Sequence, residues 1–233
     1  MFYGFDPTFI ILIPAIIFTV YAQRKVQSTY ATYSRVPTRR NITGGQVARM
    51  ILDRNGMEHV PIEVVQGNLT DNYDPTKDVM HLSEGTYGSS SVASVAVAAH
   101  ESGHAMQDGT NYAFLKLRIA MVPVVNIVSA ISMPVIMVGI ILVCMGQAIG
   151  GSIFNIGVIM FVVVVLFHTV TLPVEFDASK RALQQLTELN IVEGNEVRGA
   201  EKVLKAAGMT YVAALSVSLV MLIRIFLIRG NRS

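Results

Sequence analysis

The sequence predicts a mainly α, integral-membrane protein with about four transmembrane helices. Three observations carry this: an uncharged run of 56 residues from Ile119 to Val174, an apolar segment near each end of the chain, and two polar stretches between the apolar ones. Only 15% of the 233 residues are charged, 52% are hydrophobic, and the mean hydropathy is +0.51. A soluble domain carries about a quarter charged residues, so this composition excludes an ordinary cytosolic protein. One membrane helix needs about 20 apolar residues, so the uncharged run is long enough for two.

The first span is expected over residues 5–22, with Asp6 at its outer edge and Tyr3 and Tyr21 placed for the interfaces. No positive n-region precedes it, so it reads as a retained anchor, not a cleaved signal peptide. The uncharged run divides into a hairpin over 119–172, with helices near Ile119–Met145 and Ser152–Leu172 joined by the glycine-rich turn Gly146–Gly151. Pro123 and Pro134 should kink or delay the start of the first hairpin helix, and Pro173 suits the first turn of a new helix. A last span is expected over 209–228, where Arg224 would snorkel towards the interface.

Lys and Arg give the orientation. Residues 23–118 hold ten and residues 174–208 hold five, whereas the N-terminal tip and the 146–151 turn hold none. Positively charged loops stay cytoplasmic, so both polar segments, 23–118 and 173–208, are expected there. An even number of spans leaves Arg229 and Arg232 outside against this rule, unless the last segment is re-entrant or peripheral.

The first polar segment reads as a small folded region. Thr43 and Gln46 form a capping box for a helix that stops near Asn55-Gly56. Ile62–Val65 is a short β-branched run, Asn72–Pro75 a turn, and Val79–Ser83 an exposed edge strand suited to pairing with a substrate backbone. From Ser91 an Ala- and Val-rich helix begins. The weak net charge of +2 and the lack of a basic run with interleaved aromatics exclude a nucleic-acid partner. The lone Cys144 excludes an intramolecular disulfide and a cysteine-based zinc site.

That helix contains His100-Glu101-Ser102-Gly103-His104, an H-E-x-x-H pattern. Four residues at about 100° each stack the two imidazoles one turn apart on one face, where both can bind one Zn²⁺ at roughly 2.0–2.1 Å. Glu101 is turned about 100° away, which suits a base acting on water better than a direct ligand. Such a motif also arises by chance on core helices. Yet two His and a Glu buried against an apolar face without a metal are costly. A catalytic zinc site takes three protein ligands, and the third is either His168 or a carboxylate downstream, with Glu175 the candidate. Within a span His168 has another role open to it, as a hydrogen-bonded polar residue. Glu175 has one too, as an acidic residue in a first helical turn.

The motifs Leu69–Pro75, His81-Leu82-Ser83, Ala99–Gln107 and Pro173–Ser179, with the anchor and the order of spans, resemble the YugP-type membrane-bound zinc metallopeptidases of bacteria. The resemblance extends over nearly the whole chain and, more distantly, to HtpX-type and CAAX-prenyl gluzincin peptidases. It implies a zincin-like region within 23–118, a bacterial plasma-membrane location, and Zn²⁺ held by His100, His104 and Glu175 with Glu101 as base. It further implies a zinc-dependent endopeptidase that cleaves membrane or membrane-proximal proteins at the cytoplasmic face, with a protein or peptide substrate and the lipid bilayer as partners. The distant relatives carry an Asp that supports a ligand histidine. Ser179 stands in its place here, with Asp177 as a poorly phased substitute. Tyr73, Tyr87, Tyr112 and His81 are the candidates for stabilising an oxyanion. A zinc-binding membrane scaffold without activity is the alternative, and it has no use for Glu101.

Overall fold

The computed structural model describes residues 7–230; the readings placed on Tyr3, Phe5, Asp6 and Arg232 lie outside them. A 3₁₀ turn, Pro7–Ile11, leads into α1 (Leu12–Tyr33), followed by α2 (Gly44–Arg54), β1 (Ile62–Val65), β2 (Asn72–Asp74), β3 (Val79–Ser83) and α3 (Glu84–Gly88). Then come α4 (Val92–Gly109), α5 (Ala113–Cys144), α6 (Ile149–Glu188) and α7 (Asn195–Gly230). This is a mainly-α membrane protein in which α1, α5, α6 and α7 are long and apolar enough to cross a bilayer.

The chain forms two compact units. The first comprises residues up to 21, 117–171 and from 211 onwards. Its core is built from Ile136 of α5, Phe154, Val158, Phe161 and Val165 of α6, and Ile225 of α7. α5 and α6 approach closely enough that a Cβ on Gly139 would meet Phe154 N at 2.5 Å, the small-residue contact that lets membrane helices pack. Large apolar side chains on the outside, such as Ile127 at 64% and Ile159 at 66% exposed, are what a lipid solvent tolerates and water does not. Gly146, at φ +74°, turns the chain between α5 and α6 in a conformation that disfavours other residues.

The second unit comprises residues 22–116 and 172–210. α2 is capped as its sequence predicts: Thr43 Oγ1 accepts from Gln46 N at 3.3 Å, and Gln46 Oε1 accepts from Thr43 N at 2.9 Å. Ser91 caps α4 by accepting from Ser94 N at 3.2 Å. α4 lies between two apolar cores. Val92, Val95, Ala96 and Ala99 pack with Val47 and Ile51 of α2, Ala182 and Leu186 of α6, and Ala200 and Leu204 of α7. Ala98 and Ala105 pack with Ala48, Leu52, Tyr73, Met80 and Leu82. A helix enclosed on both sides favours small residues, which accounts for its alanines.

Four readings are corrected. Pro173 does not begin a helix; it lies inside the 40-residue α6. A proline there loses a backbone hydrogen bond at about 3 kcal/mol or more. The fully buried stripe Val174, Ala178, Ala182 and Leu186 offsets that loss by packing. Pro123 and Pro134 likewise lie inside α5, whose start at Ala113 is not delayed. Val79–Ser83 is not an edge strand: the sheet order is β1-β3-β2, with β1 parallel and β2 antiparallel to β3. Both edges of β3 are therefore taken. Asn72–Asp74, read as a turn, is the strand β2, with Tyr73 opposite Met80. Burial of Tyr73 in the core overrides the turn propensity of Asn and Asp.

The last apolar segment belongs to one continuous 36-residue helix, α7. Its arginines have partners within the first unit. Arg224 Nε donates to Thr8 Oγ1 at 3.2 Å, and Arg229 Nη1 to Asn155 Oδ1 at 2.8 Å. Hydrogen bonding of this kind lowers the cost of cations on an apolar helix.

Candidate metal centre

α4 and α6 come into close backbone contact beside Gly103. A Cβ there would lie 2.5 Å from the Ala178 carbonyl oxygen, so only glycine permits this approach. The crossing brings the side chains on either side of Ala178 onto the histidine face of α4. Glu175 Oε2 lies 3.3 Å from His100 Nε2 and 3.6 Å from His104 Nε2. The two imidazoles stand edge to face with centroids 4.8 Å apart. The Glu175 side chain is 1% exposed and each imidazole 12%.

These three donors fit zinc. One ligand atom from each lies within 4.8 Å of the others. A tetrahedral ion with bonds of about 2.0–2.1 Å spaces its donors about 3.3 Å apart, close to the two separations from Glu175. Two imidazoles and a carboxylate form the mixed nitrogen and oxygen set that zinc accepts. Among the described residues, the structure brings His100, His104 and Glu175 together and leaves His168 out of the group. His168 lies two turns earlier on α6, in the first unit.

Glu101 points off the histidine stripe and is buried. Its Oε2 accepts from the backbone N–H of Tyr73 at 3.1 Å. Burial is the main cause that pushes its carboxyl up to about 7; the charge of His100 opposes this, and Glu175 and Asp71 reinforce it. A carboxyl with that affinity can take up and release a proton near neutrality.

The outer nitrogens of both imidazoles are also engaged. His100 Nδ1 is 3.2 Å from Ser179 Oγ, and His104 Nδ1 is 3.1 Å from Gln107 Oε1. Ser179 thus occupies the place next to His100. Asp177 contacts neither histidine; its Oδ2 accepts from Gln107 Nε2 at 2.9 Å and from Arg181 Nε at 2.6 Å. Sequence reasoning missed two groups here. Gln107 was discernible, because it lies three residues after His104 on the same helical stripe. The Tyr73 amide was not, because its contact depends on the packing of β2 against α4.

The four oxyanion candidates have the following contacts. Tyr73 donates its hydroxyl to Asp78 Oδ1 at 2.7 Å and lies 3.1 Å from Asp108 Oδ2; burial first, then these carboxylates, raises its pKa. The Tyr87 ring covers Gly45, and Tyr112 lies under Arg181, 5.8 Å from its ring centroid. His81 sits between Asn72 at 3.3 Å and Glu63 at 3.6 Å.

Comparison with known proteins finds matches over nearly the whole chain. The family model described as "Putative neutral zinc metallopeptidase" matches residues 8–230. The chain is 44% identical over 220 residues to the "Putative membrane protease YugP" of Bacillus subtilis (strain 168), covering 94% of this chain and 95% of that one. No solved structure matches significantly.

Gly103→Ala tests the crossing directly. The added methyl overpacks α4 against the Ala178 backbone, so a loss of about 1–3 kcal/mol is expected. A lower thermal midpoint of the detergent-solubilised protein would show it. An unchanged midpoint would mean that the two helices separate without cost.

Proposed function

The chain belongs to this zinc metallopeptidase family, and on that premise we propose that it is a zinc-dependent endopeptidase of the bacterial plasma membrane, multi-pass, which hydrolyses peptide bonds of membrane or membrane-proximal proteins at the cytoplasmic face. The observation that carries this reading is the convergence of Glu175 Oε2 on both Nε2 atoms, with the buried carboxyl of Glu101 on the same helix.

His100, His104 and Glu175 would hold the zinc. When bound, zinc supplies Lewis acidity to the scissile carbonyl and to the attacking water. Glu101 takes the proton from that water at its carboxylate and later delivers it to the leaving amine. The Tyr73 N–H holds one oxygen of Glu101 and so fixes the direction of the transfer.

Two further observations support the choice of substrate. α6 carries the end of the uncharged run at Val174, and Glu175 is the next residue, which suits substrates in or beside the bilayer. The sheet leaves β1 and β2 as its edges. Because β3 is paired on both sides, an extended substrate would add at one of these edges and not along β3. The Lys and Arg of 23–118 and 174–208 support the cytoplasmic orientation.

Glu101→Gln preserves shape but removes the base. Zinc content, measured by elemental analysis, should persist while cleavage of an unfolded protein substrate falls about 10²–10⁴-fold. Undiminished cleavage would refute the peptidase mechanism. Glu175→Ala should lose both zinc and activity, whereas His168→Ala should keep its zinc; the reverse pattern would reassign the third ligand. For topology, single cysteines replacing Asn68 and Gln147, both exposed, can be placed in a background lacking Cys144. The first should react only from the cytoplasm and the second only from outside, and labelling from the same side would overturn the orientation.

A further inference from the structure

We infer that Gln107 is a positioning residue that fixes the proton of His104 and holds α4 and α6 in register across the metal centre. This rests on the reading of His100, His104 and Glu175 as metal ligands. Gln107 is fully buried, and a buried amide is costly unless its polar atoms are satisfied. Here three contacts satisfy it. Oε1 faces His104 Nδ1 at 3.1 Å, while Nε2 donates to Val174 O at 2.7 Å and to Asp177 Oδ2 at 2.9 Å.

Those contacts leave the amide one orientation. Turned over, its oxygen would face the Val174 carbonyl and the Asp177 carboxylate, placing acceptor against acceptor twice. With Oε1 held towards His104, Nδ1 must carry the proton. Nε2 is then bare and faces Glu175 Oε2 at 3.6 Å, the tautomer a metal requires. The Ser179 hydroxyl beside His100 can donate or accept, so it imposes no such choice. The same amide grips α6 on both sides of Glu175, at Val174 and at Asp177. Arg181 in turn holds Asp177 at 2.6 Å. Asp177 therefore acts on His104 through a neutral amide.

The test is Gln107→Glu in the full-length detergent-solubilised protein, with Co²⁺ as the probe, its visible absorption as the signature, and chelator competition for affinity. Glutamate still accepts from His104 but cannot donate to Val174 or Asp177. Co²⁺ should bind about 10–100-fold more weakly, with a shifted absorption band, while the metal-free protein keeps the far-ultraviolet dichroism of wild type at a lower thermal midpoint, because the variant sets a buried carboxylate against Asp177. Binding as tight as wild type, or tighter, would show that Gln107 serves only as an acceptor and would overturn the inference. If the Glu variant fails to fold, Gln107→Met, which fills the space without polar atoms, carries the same comparison: weaker binding supports the role and wild-type affinity overturns it. Wild-type protein that bound no Co²⁺ would overturn the metal centre itself, and with it the role of Gln107.

Discussion

The contact between Gly103 and the Ala178 backbone governs the rest of the site. With a side chain at position 103, α4 and α6 would stand further apart and Glu175 further from His100 and His104. Removing a single Cβ closes that gap. Glu175 then meets His100 and His104, Ser179 meets His100, and Gln107 reaches the α6 backbone. Everything that surrounds α4 serves this approach. Its alanines let α2, the sheet, α6 and α7 pack tightly around it, so the two imidazoles are held on a helix with little freedom to shift.

Electrostatics at the centre follows from the same enclosure. A carboxylate that is 1% exposed is tolerated in a protein interior only where positive partners or donors converge on it. Two imidazoles do so here, and an ion would complete the set. Glu101 differs in kind. It is buried with one backbone donor, so the neutral form gains relative to the charged one. Two glutamates in one unit thus acquire different proton affinities from their surroundings alone.

Much of this was legible in the sequence, for identifiable reasons. The H-E-x-x-H spacing fixes the geometry of His100 and His104 because it lies within one helix, and the Thr43 capping box and the Ser91 cap are equally local. Membrane-compatible segments were legible from hydropathy, but their ends were not. α1, α6 and α7 continue well beyond the apolar residues because nothing in the polar extensions breaks them. Pro173 misled as a helix start because local propensity favours it there, whereas the buried stripe from Val174 to Leu186 decides the outcome. The central place of β3 and the strand character of Asn72–Asp74 were illegible, since both depend on pairing between segments. The candidate metal set lay between these extremes: Glu175 was a candidate beside His168, and only the contact between α4 and α6 brings it to the histidines.

The donors also have an order in time. His100 and His104 are translated before the two apolar helices of the hairpin, and Glu175 only within the second of them, α6. A nascent chain therefore carries an incomplete donor set until α5 and most of α6 have left the ribosome. Assembly of the candidate centre is therefore tied to synthesis of the hairpin.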